Sequence, residues 1–186
     1  DEIPGGYILG GRYREDFTSP MSACAIKLSS DFSLEWGYRY TGANIYGGFS
    51  VESSSDGGYI LAGTTDSFGK GGWDILLLGV DSNGNLVWAR TYGTSGGDRA
   101  NTIIRTWDGG YIVAGGSEGK ILLMKIDSQG NMSTSDTWAK TYGSGEALDV
   151  IQTSDGGYAM TGRKDGGIFF IKTDPEGEVI YAYKYN

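Results

Sequence analysis

At 186 residues the chain is long enough to bury a substantial core, and its 33 glycines against 3 prolines suit many short strands joined by tight turns. Its 15 basic and 23 acidic residues leave a net charge of −8, which repels a phosphate backbone and argues against nucleic acid as a partner. With no histidine and one cysteine, Ser-His-Asp chemistry and paired-cysteine metal sites are out of reach, and no run approaches the ~20 apolar residues of a membrane-spanning helix.

In chain order, the first predicted strand is Tyr7-Ile8-Leu9-Gly10-Gly11, entered through Gly5-Gly6. A second follows at Ala23–Leu28, where Cys24 reads as a buried structural thiol, and after Ser29–Ser33 comes an outer strand bearing Trp36 and Tyr40. The series then recurs with an added inner strand. Phe49–Ser53 enters the turn Asp56-Gly57-Gly58, followed by Tyr59–Gly63, Asp74–Val80, the turn Asp81–Asn85, and an outer strand with Trp88 and Tyr92. The third copy reads Asn101–Thr106, Trp107-Asp108-Gly109-Gly110, Tyr111–Gly115, Lys120–Ile126, Asp127–Asn131 and Thr137–Tyr142, with an insertion near Ser133–Asp136. The fourth reads Leu148–Gln152, Asp155-Gly156-Gly157, Tyr158–Gly162, Gly167–Lys172, Asp174–Glu178 and an outer strand with Tyr181 and Tyr185.

The four tyrosines Tyr7, Tyr59, Tyr111 and Tyr158 are spaced 52, 52 and 47 residues apart, a period that marks stacked supersecondary units. Copies of about 1–45, 46–97, 98–145 and 146–186 therefore make one all-β domain over 1–186. Asp1–Pro4 is too short for a first inner strand, so fifteen strands are expected, with an unmatched edge that reads as a three-stranded first blade tolerated by the ring, as a blade whose missing strand lies outside this sequence, or as a place where another chain adds a strand. The core is expected at Ile75, Leu77, Ile121, Leu123, Ile168 and Phe170, and the repeated turn glycines are expected at positive φ.

These phrases resemble the glycine-rich bacterial and archaeal β-propeller repeats that carry an Asp-Gly-Gly-Tyr signature, distantly similar to WD-repeat and kelch blades. The resemblance covers nearly the whole chain. It implies a β-propeller of four repeats, either a compact four-bladed ring or a piece of a larger one, and it implies little about activity because propellers host many functions.

The candidate chemistry is thin. Glu15, Asp16, Asp98, Glu146, Asp149, Asp174, Glu176 and Glu178 are acidic, but no spacing sets two of them across a cleft as glycoside hydrolysis requires. Asp81–Asn85 has the first half of a calcium loop without its closing carboxylate, so a turn explains it, and calcium held by loop carbonyls or a central channel stays open as an alternative. Asn131-Met132-Ser133 is a glycosylation pattern. Asp98, Trp107 and Glu146 lie in or beside inner-strand connections and are the first suspects for contacts at a channel mouth. The expected function is a non-enzymatic extracellular or cell-surface module, structural or interactive, with itself as the expected partner in a filament, tube or other homopolymer. The alternatives are a monomeric binder of a glycan, ion or partner protein, and a fragment of a larger propeller enzyme.

Overall fold

The computed structural model describes residues 2–3, 5–42 and 44–185. They form sixteen strands and no helix, in four antiparallel sheets whose strands lie in chain order. Sheet one holds β1 (Glu2–Ile3), β2 (Gly6–Tyr13), β3 (Ser22–Ser29) and β4 (Leu34–Tyr40). Sheet two holds β5 (Ile45–Ser53), β6 (Tyr59–Thr65), β7 (Asp74–Val80) and β8 (Leu86–Tyr92). Sheet three holds β9 (Asp98–Arg105), β10 (Tyr111–Ser117), β11 (Lys120–Ile126) and β12 (Trp138–Ser144). Sheet four holds β13 (Glu146–Gln152), β14 (Tyr158–Lys164), β15 (Gly167–Thr173) and β16 (Val179–Tyr185).

The expected absence of a first inner strand is corrected. Glu2 and Ile3 pair with Tyr7 and Gly6, so the first sheet has a two-residue inner strand and the strand count is sixteen. Even two residues supply ladder partners at the start of β2. Asp1 and Pro4, part of the same expectation, lie outside the described residues.

Each Asp-Gly-Gly turn is built by its own aspartate. Asp155 Oδ1 accepts from the Gly157 N–H at 3.1 Å and the Thr153 hydroxyl at 2.6 Å, and its carboxylate pairs with Lys172 on β15 at 2.9 Å. The Thr153 hydroxyl first, then Lys172 and the Gly157 N–H, hold this carboxyl well below the usual carboxylate range. Asp108 repeats the arrangement with Gly110, Thr106 and Lys125. The two glycines serve different needs, which corrects the expectation of positive φ for the second: Gly57, Gly109 and Gly156 hold it and Gly58, Gly110 and Gly157 do not. Gly109 lies at φ +84, whereas a Cβ on Gly110 would lie 2.5 Å from the Ile126 carbonyl oxygen as the third strand passes beneath.

Three apolar cores join the sheets in series. Ile8, Ala25, Leu61 and Leu78 pack between sheets one and two; Ile60, Leu77, Val113 and Met124 between two and three; Ile112, Leu123, Met160 and Phe169 between three and four. A sheet covered on both faces needs apolar residues at every position. Accordingly all seven residues of β6 and all seven of β7 are buried. Among the described residues no core joins sheet four back to sheet one, so the four sheets do not close a compact ring.

This serial packing corrects two further expectations. Ile75, Leu77, Ile121 and Leu123 are buried, but Ile168 and Phe170, their counterparts in sheet four, are 58% and 38% exposed because no later sheet covers that face. The buried apolar residues of β15 are Phe169 and Ile171, which pack back against sheet three. Cys24 is half-buried, since it lies on the face of β3 opposite Ala23 and Ala25, and partial burial raises its thiol pKa.

Leu123→Ala is expected to lower unfolding free energy by ~2–5 kcal/mol in urea denaturation. An unchanged midpoint removes Leu123 from the core. Gly109→Val and Gly110→Val are expected to lower the melting temperature more than Gly96→Val, because a Cβ on Gly96 would meet only the movable Glu118 side chain at 2.7 Å. Equal melting temperatures in the three variants would refute the roles given to the turn glycines.

Candidate functional site

The chemistry that recurs in this chain lies at the joints between sheets. The outer strand of each of sheets one, two and three sets an aromatic ring on the turn that links the last two strands of the next sheet. Gly84, Gly130 and Gly177 occupy the fourth position of those turns at φ +83, +73 and +80. A Cβ there would lie 2.6 Å from a ring atom of Tyr38, Trp88 and Trp138 respectively, and on Gly84 also 2.9 Å from Trp36. Glycine is therefore required twice over, by its dihedral angle and by the ring above it.

Polar contacts from the same outer strands hold each of these turns. Trp36 Nε1 donates to the Ser82 carbonyl at 3.1 Å and the Tyr40 hydroxyl to the Gly84 carbonyl at 3.0 Å. The Tyr92 and Tyr142 hydroxyls donate to the Gly130 and Gly177 carbonyls, the latter at 2.7 Å. Beside them Arg90 donates to Asn131 Oδ1 at 2.7 and 3.2 Å, and Lys140 pairs with Glu178 at 2.5 Å. Burial pushes the Tyr40 phenol up to about 12 and raises those of Tyr92 and Tyr142 as well.

The suspected contact residues divide between two ends of the sheets. Asp98 and Glu146 open the inner strands β9 and β13, whereas Trp107 follows the far end of β9, roughly 30 Å away at the rise of an extended strand. Asp98 is 2% exposed, and its Oδ2 accepts from the Thr94 N–H at 2.8 Å and the Thr94 hydroxyl at 2.9 Å, so it ties a loop. Asp74, which the sequence did not single out, is buried beside it and accepts from the N–H groups of Lys70 and Gly71 at 3.2 Å. Both carboxylates close on Gly93, where a Cβ would lie 2.0 Å from Asp74 and 3.1 Å from Asp98. Glu146 accepts from the Asn101 amide at 2.9 Å and borders an open cleft of about 700 Å³ with Arg163, Lys164, Asp165 and Ile168. Trp107 is 67% exposed, and its backbone N–H donates to Gln152 Oε1 at the end of β13 at 2.9 Å.

The Asn131 amide group is committed to the joint. Its Nδ2 donates to Asp127 while its Oδ1 receives Arg90, and a glycan on Nδ2 would compete with the first of these. The calcium-like turns direct their carboxylates inward: Asp81 accepts from the N–H groups of Asn83 and Asn85 at 2.9 and 2.8 Å and from the Asn85 amide at 2.8 Å. Those contacts, the Asn85 side chain foremost, lower the Asp81 pKa. Among the described residues no three His, Cys, Asp or Glu side chains converge.

The residues missed from sequence are those of the two uncovered faces. Sheet one leaves Leu9 and Ile26 at 48% and 41% exposure. Sheet four leaves Ile151, Ile168, Phe170, Tyr181, Tyr183 and Tyr185 exposed, with Tyr181 4.6 Å from Tyr183 between ring centroids. The signal was present as two departures from the repeat: Phe32 stands where the other turns have glycine, and Tyr181 stands where the other outer strands have tryptophan. No protein-family model matches the chain, and no curated protein matches it.

The joint tyrosines give the fold an alkaline limit. A phenol whose folded pKa lies above the ordinary 10 adds stability that is fully present below pH 10 and is lost as pH rises toward about 12. Urea midpoints are expected to fall across pH 10–12, less steeply in Tyr40→Phe than in the parent. Identical slopes would count against the Tyr40 contact.

Proposed function

We propose that this chain is a β-propeller module of the Asp-Gly-Gly-Tyr type, extracellular or at the cell surface, that works without catalysis by holding protein surfaces together, its own included. The observation that carries this reading is the pair of uncovered sheet faces, which hold at the ends of the array the same positions that are buried at each internal joint. Monomeric proteins rarely leave apolar patches of this kind in water unless something docks there. The propeller reading rests on four sheets of one strand order joined face to face, as blades are.

The absence of catalysis is argued from where the acidic groups are spent. Asp98 and Asp74 tie loops, Glu178 pairs with Lys140, and Asp174 Oδ1 accepts from the Glu178 N–H at 2.7 Å, so these four carboxylates serve as structural ties and not as a free acid and base. A surface rich in Gly, Ser, Thr, Tyr and Asn with no histidine fits an exported protein. A second reading, a binding module for a glycan, ion or partner protein, is favoured by the open cleft beside Glu146 and the exposed Trp107 indole.

Light scattering with electron microscopy of the purified protein tests the choice. Assembly predicts a solution mass above the 19.9 kDa of one chain, with ordered particles in the images. A stable monomer at all concentrations overturns assembly and leaves the binding module, to be pursued by ligand titration of the cleft.

A further inference from the structure

The array carries both halves of a joint that it forms internally three times. On the leading face, Leu77 and Leu123 are fully buried in sheets two and three, while Phe170 in sheet four is 38% exposed at the equivalent position. On the trailing face, Leu61 and Leu78 are 0% and 4% exposed in sheet two, while Leu9 and Ile26 in sheet one are 48% and 41% exposed. The partner that fits the leading face of sheet four is therefore a sheet with the trailing face of sheet one, and this chain supplies it.

The two ends also differ from the internal joints in a matched way. Inside the array, a tryptophan of the preceding sheet covers the signature tyrosine of the next: Trp36 lies 5.9 Å from Tyr59, and Trp138 lies 6.0 Å from Tyr158. In sheet one, Phe32 performs that service from its own turn, stacked on Tyr7 at 5.0 Å and 6° with φ 65 at the position that is glycine elsewhere. A tryptophan arriving from another sheet would find its place taken. The last outer strand presents Tyr181 instead, a smaller ring, so a joint between the two ends would bring Tyr181 to Phe32 where the internal joints set a ring on glycine. That difference lets the ends recognise each other and not an internal joint.

Symmetry then limits the assembly. A head-to-tail contact closes into a ring when its rotation allows and otherwise runs on as an open array. Each copy of this 186-residue chain brings the four described sheets, propellers close with about 4–8 blades, and the four described sheets leave both end faces open here. We infer that two copies of this chain join head to tail, sheet four of each on sheet one of the other, to close one eight-sheet ring with two equivalent joints. This inference rests on the propeller and self-assembly reading above and names its partner and geometry.

Cys24, the one cysteine of the chain, lies on the trailing face of sheet one and serves as a native reporter. The test combines Ile168→Cys on the leading face of sheet four with a short bis-maleimide crosslinker and light scattering of the uncrosslinked protein. The ring predicts a mass of about 40 kDa, twice the 19.9 kDa chain, and a covalent dimer as the largest crosslinked product, lost when Cys24→Ser is added. A ladder of trimers and larger species overturns the closed ring and leaves the self-assembling module standing. A 40 kDa particle without the Cys24-dependent crosslink overturns the head-to-tail joint, and a monomer overturns both readings. Phe170→Asp, at an exposed position, is expected to bring the mass from about 40 to 19.9 kDa with an unchanged circular dichroism spectrum. A folded Phe170→Asp protein that stays dimeric also overturns the joint.

Discussion

The seating of an aromatic ring on a glycine of the next sheet is the contact on which the rest of this architecture depends. At Gly130 and Gly177 the ring atoms of Trp88 and Trp138 come so near the backbone that a Cβ would overlap them at 2.6 Å. The neighbouring Tyr92 and Tyr142 hydroxyls bind the carbonyls of the same two glycines. Ring and hydroxyl together fix both the separation of adjacent sheets and their relative rotation, because one resists closer approach and the other is directional. Side chains behind them, Met160 and Phe169 at the third joint, then pack into a space whose shape is already set.

From that seating follows the distribution of apolar surface. Sheets two and three are clamped on both faces, and the middle of their third strands, Ile75–Leu78 and Ile121–Met124, is an unbroken run of buried apolar side chains. Sheets one and four are clamped on one face only, and their central strands alternate: β15 is buried at Phe169 and Ile171 and exposed at Ile168 and Phe170. The Asp-Gly-Gly turns contribute a different kind of order. Their aspartates satisfy turn N–H groups and, in sheets three and four, pair with Lys125 and Lys172 of the third strand, which ties the turn to its own sheet and not to the next. Turn chemistry thus shapes each sheet, and the aromatic joints space the sheets.

Most of the sheet architecture was legible in the residues. Lys120–Ile126 was placed at its observed bounds, because a β-branched and leucine-rich run between a glycine turn and an aspartate turn leaves little freedom. The first inner strand was missed because two residues carry no periodicity, and only their pairing with Tyr7 and Gly6 reveals them. Ile168 and Phe170 were misplaced for a related reason: repeat equivalence assigns a residue to a face of its sheet but says nothing of whether another sheet covers that face. For Asp98, Glu146 and Trp107, position along the chain suggested a common mouth. The strand direction separates Trp107 from the other two, and local hydrogen bonds engage both carboxylates.

The amino-acid sequence by itself determined the local order of this protein: strand, turn, strand, with glycine wherever the chain must turn at positive φ and an aromatic residue at a constant place in each outer strand. These are properties of short segments, set by backbone sterics and side-chain alternation, and they repeat because the letters repeat. The tertiary structure decided which apolar faces meet and which remain bare. That depends on how the sheets stack over three successive joints, and no single segment encodes the sum. The same summation decided that Cys24 and Phe170 lie in half-open surface while Leu76 and Leu123, their counterparts in the pattern, lie in the core.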